Sequence, residues 1–264
     1  MKAYQSLFKA TKGKTVFIPF FVLGNPTPQT SLDLLKTALD NGADVLELGI
    51  PFSDPIADGP SIQEANLRAL SNGINVDKAF EIIKQAKAYK DVPVGLLMYY
   101  NLIINYGVEK FYAAAAAAGV NSILIADLCI DDADEVAALN KKYGMGTVYI
   151  VTANTAVERQ KRIAKLCSGF IYTAAVLGVT GVRDDLETGV MGLVKSLKTE
   201  TDVPVCVGFG ISKPEHAVAF AKEGVEGVIV GSAIVNVIAA HLDDHKKCVQ
   251  KVGEFIATFK AALK

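Results

Sequence analysis

A parallel α/β barrel of eight strand–helix units, the (β/α)8 or TIM barrel, is the fold the sequence predicts, on three observations. Strand-like and helix-like segments alternate without a break. Eight strand-like segments fit within 264 residues. No Pro/Ser-rich linker or shift of composition divides the chain, so residues 1–264 are expected to form a single domain, with an additional N-terminal helix before the barrel. Alternating units of this kind form a parallel sheet covered by helices, and eight in about this length are what a closed barrel needs. An open doubly wound sheet is the alternative. It loses ground because 22-VLGNP-26, after the first strand, holds one Gly where a dinucleotide turn needs three. No Walker sequence occurs either.

The predicted strands, in order, are 15-TVFIPFF-21, 44-DVLELG-49, 93-PVGLLM-98, 122-SILIA-126, 147-TVYIV-151, 169-GFIYT-173, 204-PVCVG-208 and 226-EGVIV-230. Each is short. The intervening segments carry helix punctuation. In 27-TPQTSLDLLKTALDNG-42, Thr27 suits the N-cap, Pro28 the first helical position and Gly42 the end. Segment 77–90 places apolar residues at helical spacing, and so does the alanine-rich 107–119, read as a helix packed closely on the sheet.

Composition excludes several classes of function. A net charge of -1, with Lys and Arg scattered, gives no footprint for nucleic acid or an anionic membrane. No apolar run is long enough to span a bilayer, and the first residues lack the apolar core of a signal peptide, so the cytoplasm is the expected compartment. Cys129, Cys167, Cys206 and Cys248 lie far apart and read as small apolar fillers. His241 and His245 stand at helical spacing, but with no Glu in the metalloprotease position they read as a solvated face, and no metal is expected.

Chemistry in such a barrel gathers at the C-terminal ends of the strands. Along 44–49 the side chains alternate, so Glu47 shares a face with Val45 while Leu46 and Leu48 face the helices. Glu47 therefore points into the barrel. An inward Lys or Arg would make it a structural ion pair, but none of the eight strands contains one. A buried carboxyl favours its protonated form, which suits an acid–base catalyst. The loop that leaves the same strand carries two further acids, Asp54 and Asp58, which the sequence alone does not rank. Two carboxylates of unequal burial can hold different protonation states, so one donates while the other accepts.

A second group of residues suits an anion. The turns 208-GFGISKPEH-216 and 231-GSAIV-235 follow the seventh and eighth strands, where barrels often hold a phosphate on free backbone N–H groups. After the sixth strand, 174-AAVLGVTGVRDDLETG-189 has the length and glycine punctuation of a lid, with Gly181 offering another N–H and Thr180 a hydroxyl. Phe20, Leu97, Tyr99, Leu124, Ile150 and Tyr172 sit at strand ends. Each alone reads as core; together at one mouth they make a slot for a flat ring. The residues thus point to an enzyme acting on a small phosphate ester with two acids.

These stretches carry a resemblance. "ELGIPFSDPIADGPSIQEANLRAL" (47–70), "GLLMYYNLI" (95–103), "LGVTG" (177–181), "GFGIS" (208–212) and "GSAIV" (231–235) resemble the tryptophan synthase alpha subunit family. The resemblance implies retro-aldol cleavage of indole-3-glycerol phosphate to indole and glyceraldehyde 3-phosphate. It implies Glu47 and Asp58 as the catalytic carboxylates. It places Phe20, Leu97, Tyr99, Leu124, Ile150, Tyr172, Thr180 and Phe209 at the substrate, and Gly181, Gly210, Gly231 and Ser232 at the phosphate. No cofactor is expected in this chain. A beta subunit with pyridoxal phosphate is the expected partner, in an α–β–β–α heterotetramer that takes up the indole, with loops 51–60 and 174–189 facing it. Departures from the family pattern fall at Val22, Asn25, Cys129 and 152–156. They bear on loop stiffness and partner fit, not on the carboxylates or phosphate glycines. The synthase that makes indole-3-glycerol phosphate is a poorer match, since it needs a Lys inside the barrel. A non-enzymatic chain that only activates a beta subunit is the other alternative.

Overall fold

The computed structural model describes residues 2–174, 183–208 and 210–264. Among them are nine strands: β1 (Val16–Val22), β2 (Leu46–Gly49), β3 (Val94–Met98), β4 (Ser122–Ile125), β5 (Gly146–Thr147), β6 (Tyr149–Val151), β7 (Ile171–Ala174), β8 (Val205–Gly208) and β9 (Gly227–Val230). All pair in parallel, in the order β5-β4-β3-β2-β1-β9-β8-β7-β6. The two ends of that order are consecutive in sequence, separated by Val148, so the sheet returns on itself as a barrel.

The fifth predicted strand is thus two. β5 pairs with β4, and β6 pairs with β7. Closure is made across the break: Ser168 and Gly169 donate their N–H groups to Thr147 O at 3.0 and 3.2 Å. Thr147 N–H in turn donates to Ser168 Oγ at 3.0 Å. Gly146 and Gly169 permit this approach, because a Cβ on Gly146 would lie 3.0 Å from Gly169 Cα.

Alternation along the strands sorts the core into two layers. Leu46, Leu48, Leu96, Ile123, Val151, Val205 and Val228 belong to the layer under the helices. Val16, Ile18, Val45, Leu124, Val148, Phe170, Tyr172, Cys206 and Ile229 fill the barrel itself. The predicted N-terminal helix is present over Lys2–Ala10. It sends Tyr4 into the barrel, where the phenol accepts from Ser122 Oγ at 2.9 Å and the ring lies 5.6 Å from that of Phe170. A fully buried tyrosine therefore plugs the end of the barrel opposite the strand C-termini.

The helix signals translate directly. The first outer helix runs Pro28–Asp40, with Thr27 Oγ1 accepting from Thr30 N–H at 3.2 Å. The segments read at 77–90 and 107–119 are helices Val76–Tyr89 and Val108–Ala118, the second ending at a left-handed Gly119. Two readings need correction. Cys129 is exposed rather than a core filler, while the other three cysteines are buried. His241 and His245 do not share a helix: His241 follows Ser232–Ala239, and His245 opens His245–Ala262. The His245 ring instead ties two helices together, meeting Thr30 Oγ1 at 3.0 Å and Asp33 Oδ2 at 3.4 Å. No helix among the described residues is long and apolar enough to cross a membrane.

Candidate active site

Register fixes what surrounds Glu47. On β2 it lies beside Phe20 of β1 and Gly95 of β3. Leu46 and Leu48 on either side are fully buried under the helices, so the carboxylate points inward and is 4 % exposed. Its Oε2 atom is buried with no hydrogen-bond partner. Desolvation pushes the carboxyl up to about 8, so at neutral pH it is mostly protonated.

Glu47 opens onto a cavity of about 400 Å3 at the C-terminal mouth of the barrel, and Asp58 lines the same cavity. Asp58 is half-buried, on the loop between β2 and the helix Pro60–Ser71. Burial raises its carboxyl, while hydrogen bonds from Tyr99 and Asn66 work in the opposite direction. Asp54, which the sequence did not separate from Asp58, is exposed, is held by Ser53 Oγ, and does not line the cavity.

Phe20, Leu97 and Tyr172 form the apolar wall of the cavity, as the sequence predicts. Room for the rings comes from glycines on neighbouring strands: a Cβ on Gly49 would sit 3.0 Å from Phe20 Cζ, and one on Gly208 would sit 2.2 Å from the Tyr172 hydroxyl. Three predicted ring contacts do not line this cavity. Leu124 packs in the inner barrel layer with Tyr172. Ile150 lines a separate slot of about 210 Å3 with Ala126, Leu128 and Arg159. Its register with Tyr172 across β6 and β7 keeps it on the inner face of the sheet, packed against the inner barrel layer. Tyr99 is 3 % exposed and stands behind the Asp58 loop, its hydroxyl accepting from Ala57 N–H at 3.0 Å.

Gly210, Gly231 and Ser232 line the end of the cavity where an anion is expected. Gly210 has φ +74°, a conformation that favours glycine. Gly231 is the N-cap of the helix Ser232–Ala239 and supplies no side-chain cap, so the first N–H groups of that helix are free for a ligand. No Lys or Arg lines the cavity among the described residues. Thr180, Gly181 and Phe209 lie outside the described residues.

The cavity also takes in Ile62, Ile211, Ser212, Ile229, Ala233 and Asn236, which sequence reasoning missed. Ile229 was within reach, since alternation along 226–230 sets it on the same face as Gly231. Ile62 and Asn236 lie one turn into helices after the mouth loops, where strand alternation carries no information.

The family model described as tryptophan synthase alpha chain matches residues 8–264. The chain belongs to the tryptophan synthase alpha chain family. It is 45% identical over 260 residues to the tryptophan synthase alpha chain of Methanothermobacter thermautotrophicus, covering 98% of this chain and 96% of that one. The solved tryptophan synthase subunit alpha of Legionella pneumophila is 32% identical and superposes with a TM-score of 0.91, over 100% of this chain and 98% of that one. A chain of Mycobacterium tuberculosis tryptophan synthase is 27% identical with a TM-score of 0.89, over 98% of this chain and 97% of that one. Members of the tryptophan synthase alpha chain family are lyases of tryptophan biosynthesis that cleave indole-3-glycerol phosphate, and this chain is a lyase of that kind.

Proposed function

We propose that Glu47 and Asp58 carry the cleavage of indole-3-glycerol phosphate, in unequal roles. The observation that carries this reading is the buried, unpartnered Oε2 of Glu47 in the wall of a cavity it shares with Asp58 and the 231–232 turn. The bond to be broken joins a ring carbon to the glycerol chain. The ring carbon leaves as a neutral group once it has gained a proton. Glu47, held protonated by burial, gives that proton, and positive charge develops on the indole ring. Asp58 accepts the indole N–H and offsets this charge. The Glu47 carboxylate then takes the proton of the glycerol hydroxyl as the carbon–carbon bond breaks and that carbon becomes the aldehyde. Glu47 ends as it began, and no co-reactant is consumed.

The remaining wall positions the substrate. Phe20, Leu97 and Tyr172 flank the ring, with Phe209 proposed to join them, and Gly210, Gly231 and Ser232 receive the phosphate, with Gly181 and Thr180 proposed to complete that end. The test is release of indole from indole-3-glycerol phosphate, with glyceraldehyde 3-phosphate formed in equal amount. No indole release, with or without a beta subunit, would overturn the reading and favour a chain that only activates its partner.

The proposal extends to the partner: a beta subunit holding pyridoxal phosphate, in an α–β–β–α assembly that takes up the indole. Support comes from the loop 51–60, whose Ile56 is 84% exposed at the mouth of the barrel. A large apolar side chain that far into solvent suits a surface covered on assembly. Ile56→Asp is expected to weaken association by at least about tenfold, the effect of losing one apolar anchor, with little change in the turnover of the isolated chain. Sedimentation or co-elution with a beta subunit measures it; unchanged association would remove this loop from the interface.

A further inference from the structure

The loop between β2 and the following helix is fastened by two side chains that approach it from opposite sides. Asn66, in the helix Pro60–Ser71, is 4 % exposed although polar. Its Oδ1 accepts from Phe52 N–H at 3.2 Å, at the start of the loop. Its Nδ2 donates to Ile62 O at 3.0 Å and reaches Asp58 Oδ2 at 3.5 Å, at the end of the loop. Tyr99 follows β3 and does the same from the barrel side. Its ring stacks on Phe52, with centroids 5.1 Å apart and planes inclined by 28°. Its hydroxyl accepts from Ala57 N–H at 3.0 Å. That contact uses a lone pair, which leaves the phenolic proton for the Asp58 carboxylate next in sequence.

We infer that Asn66 and Tyr99 are positioning residues for the reaction, fixing the Asp58 carboxylate at the cavity wall. The inference rests on the proposed role of Asp58 as acceptor of the indole N–H. A bare structural account, in which the two side chains only staple a loop, leaves one feature without a purpose. Both side chains bring a donor to the same carboxylate, and both donors favour its ionised form against the effect of burial. An acceptor for a cationic ring has to be ionised and held in place, and this pair works toward both against burial, the larger influence on the carboxyl. Among the described residues, the titratable groups facing Asp58 are Tyr99 and, across the cavity, Glu47. Asp127, whose Oδ1 accepts from Tyr100 N–H at 2.8 Å, acts on Tyr99 from the next loop.

Tyr99→Phe keeps the ring and its stacking on Phe52 and removes the hydroxyl alone. Asn66→Ala removes the other donor. Each is expected to lower kcat on the order of tenfold, the weight of one hydrogen bond to a charged group, with a smaller change in KM. In each, the acid limb of kcat/KM moves to higher pH, because the carboxylate loses a group that favours its ionised form. The 13C titration of the Asp58 carboxyl moves the same way, and thermal unfolding of Tyr99→Phe stays close to that of the unaltered chain. Lost thermal stability with the acid limb and the carboxyl titration both unmoved would overturn the inference, since a simple staple behaves so. Asp58→Asn is measured beside them. Normal turnover in that variant would sink the role of Asp58 itself, and the titration in Tyr99→Phe does not depend on that outcome.

Discussion

Glu47→Gln is expected to lower turnover by about three orders of magnitude while leaving KM nearly unchanged, the range that loss of a general acid and base covers. The amide fills the same space beside Phe20 and Gly95. It can neither give a proton to the ring carbon nor take one from the glycerol hydroxyl. The same substitution should change stability with a definite sign. Burial moves the Glu47 carboxyl from its ordinary value of 4.5 up to about 8 in the folded chain. Between those values the folded state holds a proton that the unfolded chain has lost, so stability falls as pH rises through that window. It falls by several kcal/mol in order of magnitude, at about 1.4 kcal/mol per pH unit. Glu47→Gln does not titrate. Denaturant midpoints should therefore shift in favour of the variant, relative to the unaltered chain, from pH 5 to pH 8. A constant difference across that range would mean that the carboxyl is not held protonated by burial.

Gly208→Ala should do comparable damage without touching a reacting group. A Cβ at this position would lie 2.2 Å from the Tyr172 hydroxyl, 2.5 Å from Cζ and 2.7 Å from Cε1. Two ring atoms and the hydroxyl at such distances cannot be relieved by a small torsion, so the ring must move. Tyr172 is 3 % exposed in the inner layer and also forms part of the cavity wall, so there is little space for it except the substrate's. A displacement of about 1 Å at a positioning surface costs on the order of a hundredfold in rate. Overpacking adds roughly 1–3 kcal/mol of destabilisation. Steady-state kinetics and a melt on the same preparation check both; near-normal kcat/KM would show that the Tyr172 ring is not part of the working wall.

The fold was legible because its signals are local. Thr27, Pro28 and Gly119 act on their own turns, and they bound helices where the sequence predicts. The inward face of β2 followed from the pleat alone, since Leu46 and Leu48 leave Glu47 one direction. What sequence reasoning missed depends on contacts between distant segments. Val148 interrupts the fifth strand because β5 and β6 take different neighbours, and no local signal encodes that. Asp54 and Asp58 share one loop and one chemistry. Asn66 and Tyr99 are what distinguish them, reaching back from the next helix and the next strand. Asn66 did leave a trace, as a polar residue at the apolar spacing of Ile62, Ala65 and Ala69.

Site-resolved 13C NMR of the glutamate carboxyls, with Glu47 assigned by its disappearance in Glu47→Gln, tests the origin of the acid most directly. A greasy, water-poor barrel mouth predicts that this one resonance titrates near pH 8. A midpoint at the ordinary glutamate value of 4.5 would show the group ionised and solvated at neutral pH, and it would contradict Glu47 as the resting proton donor.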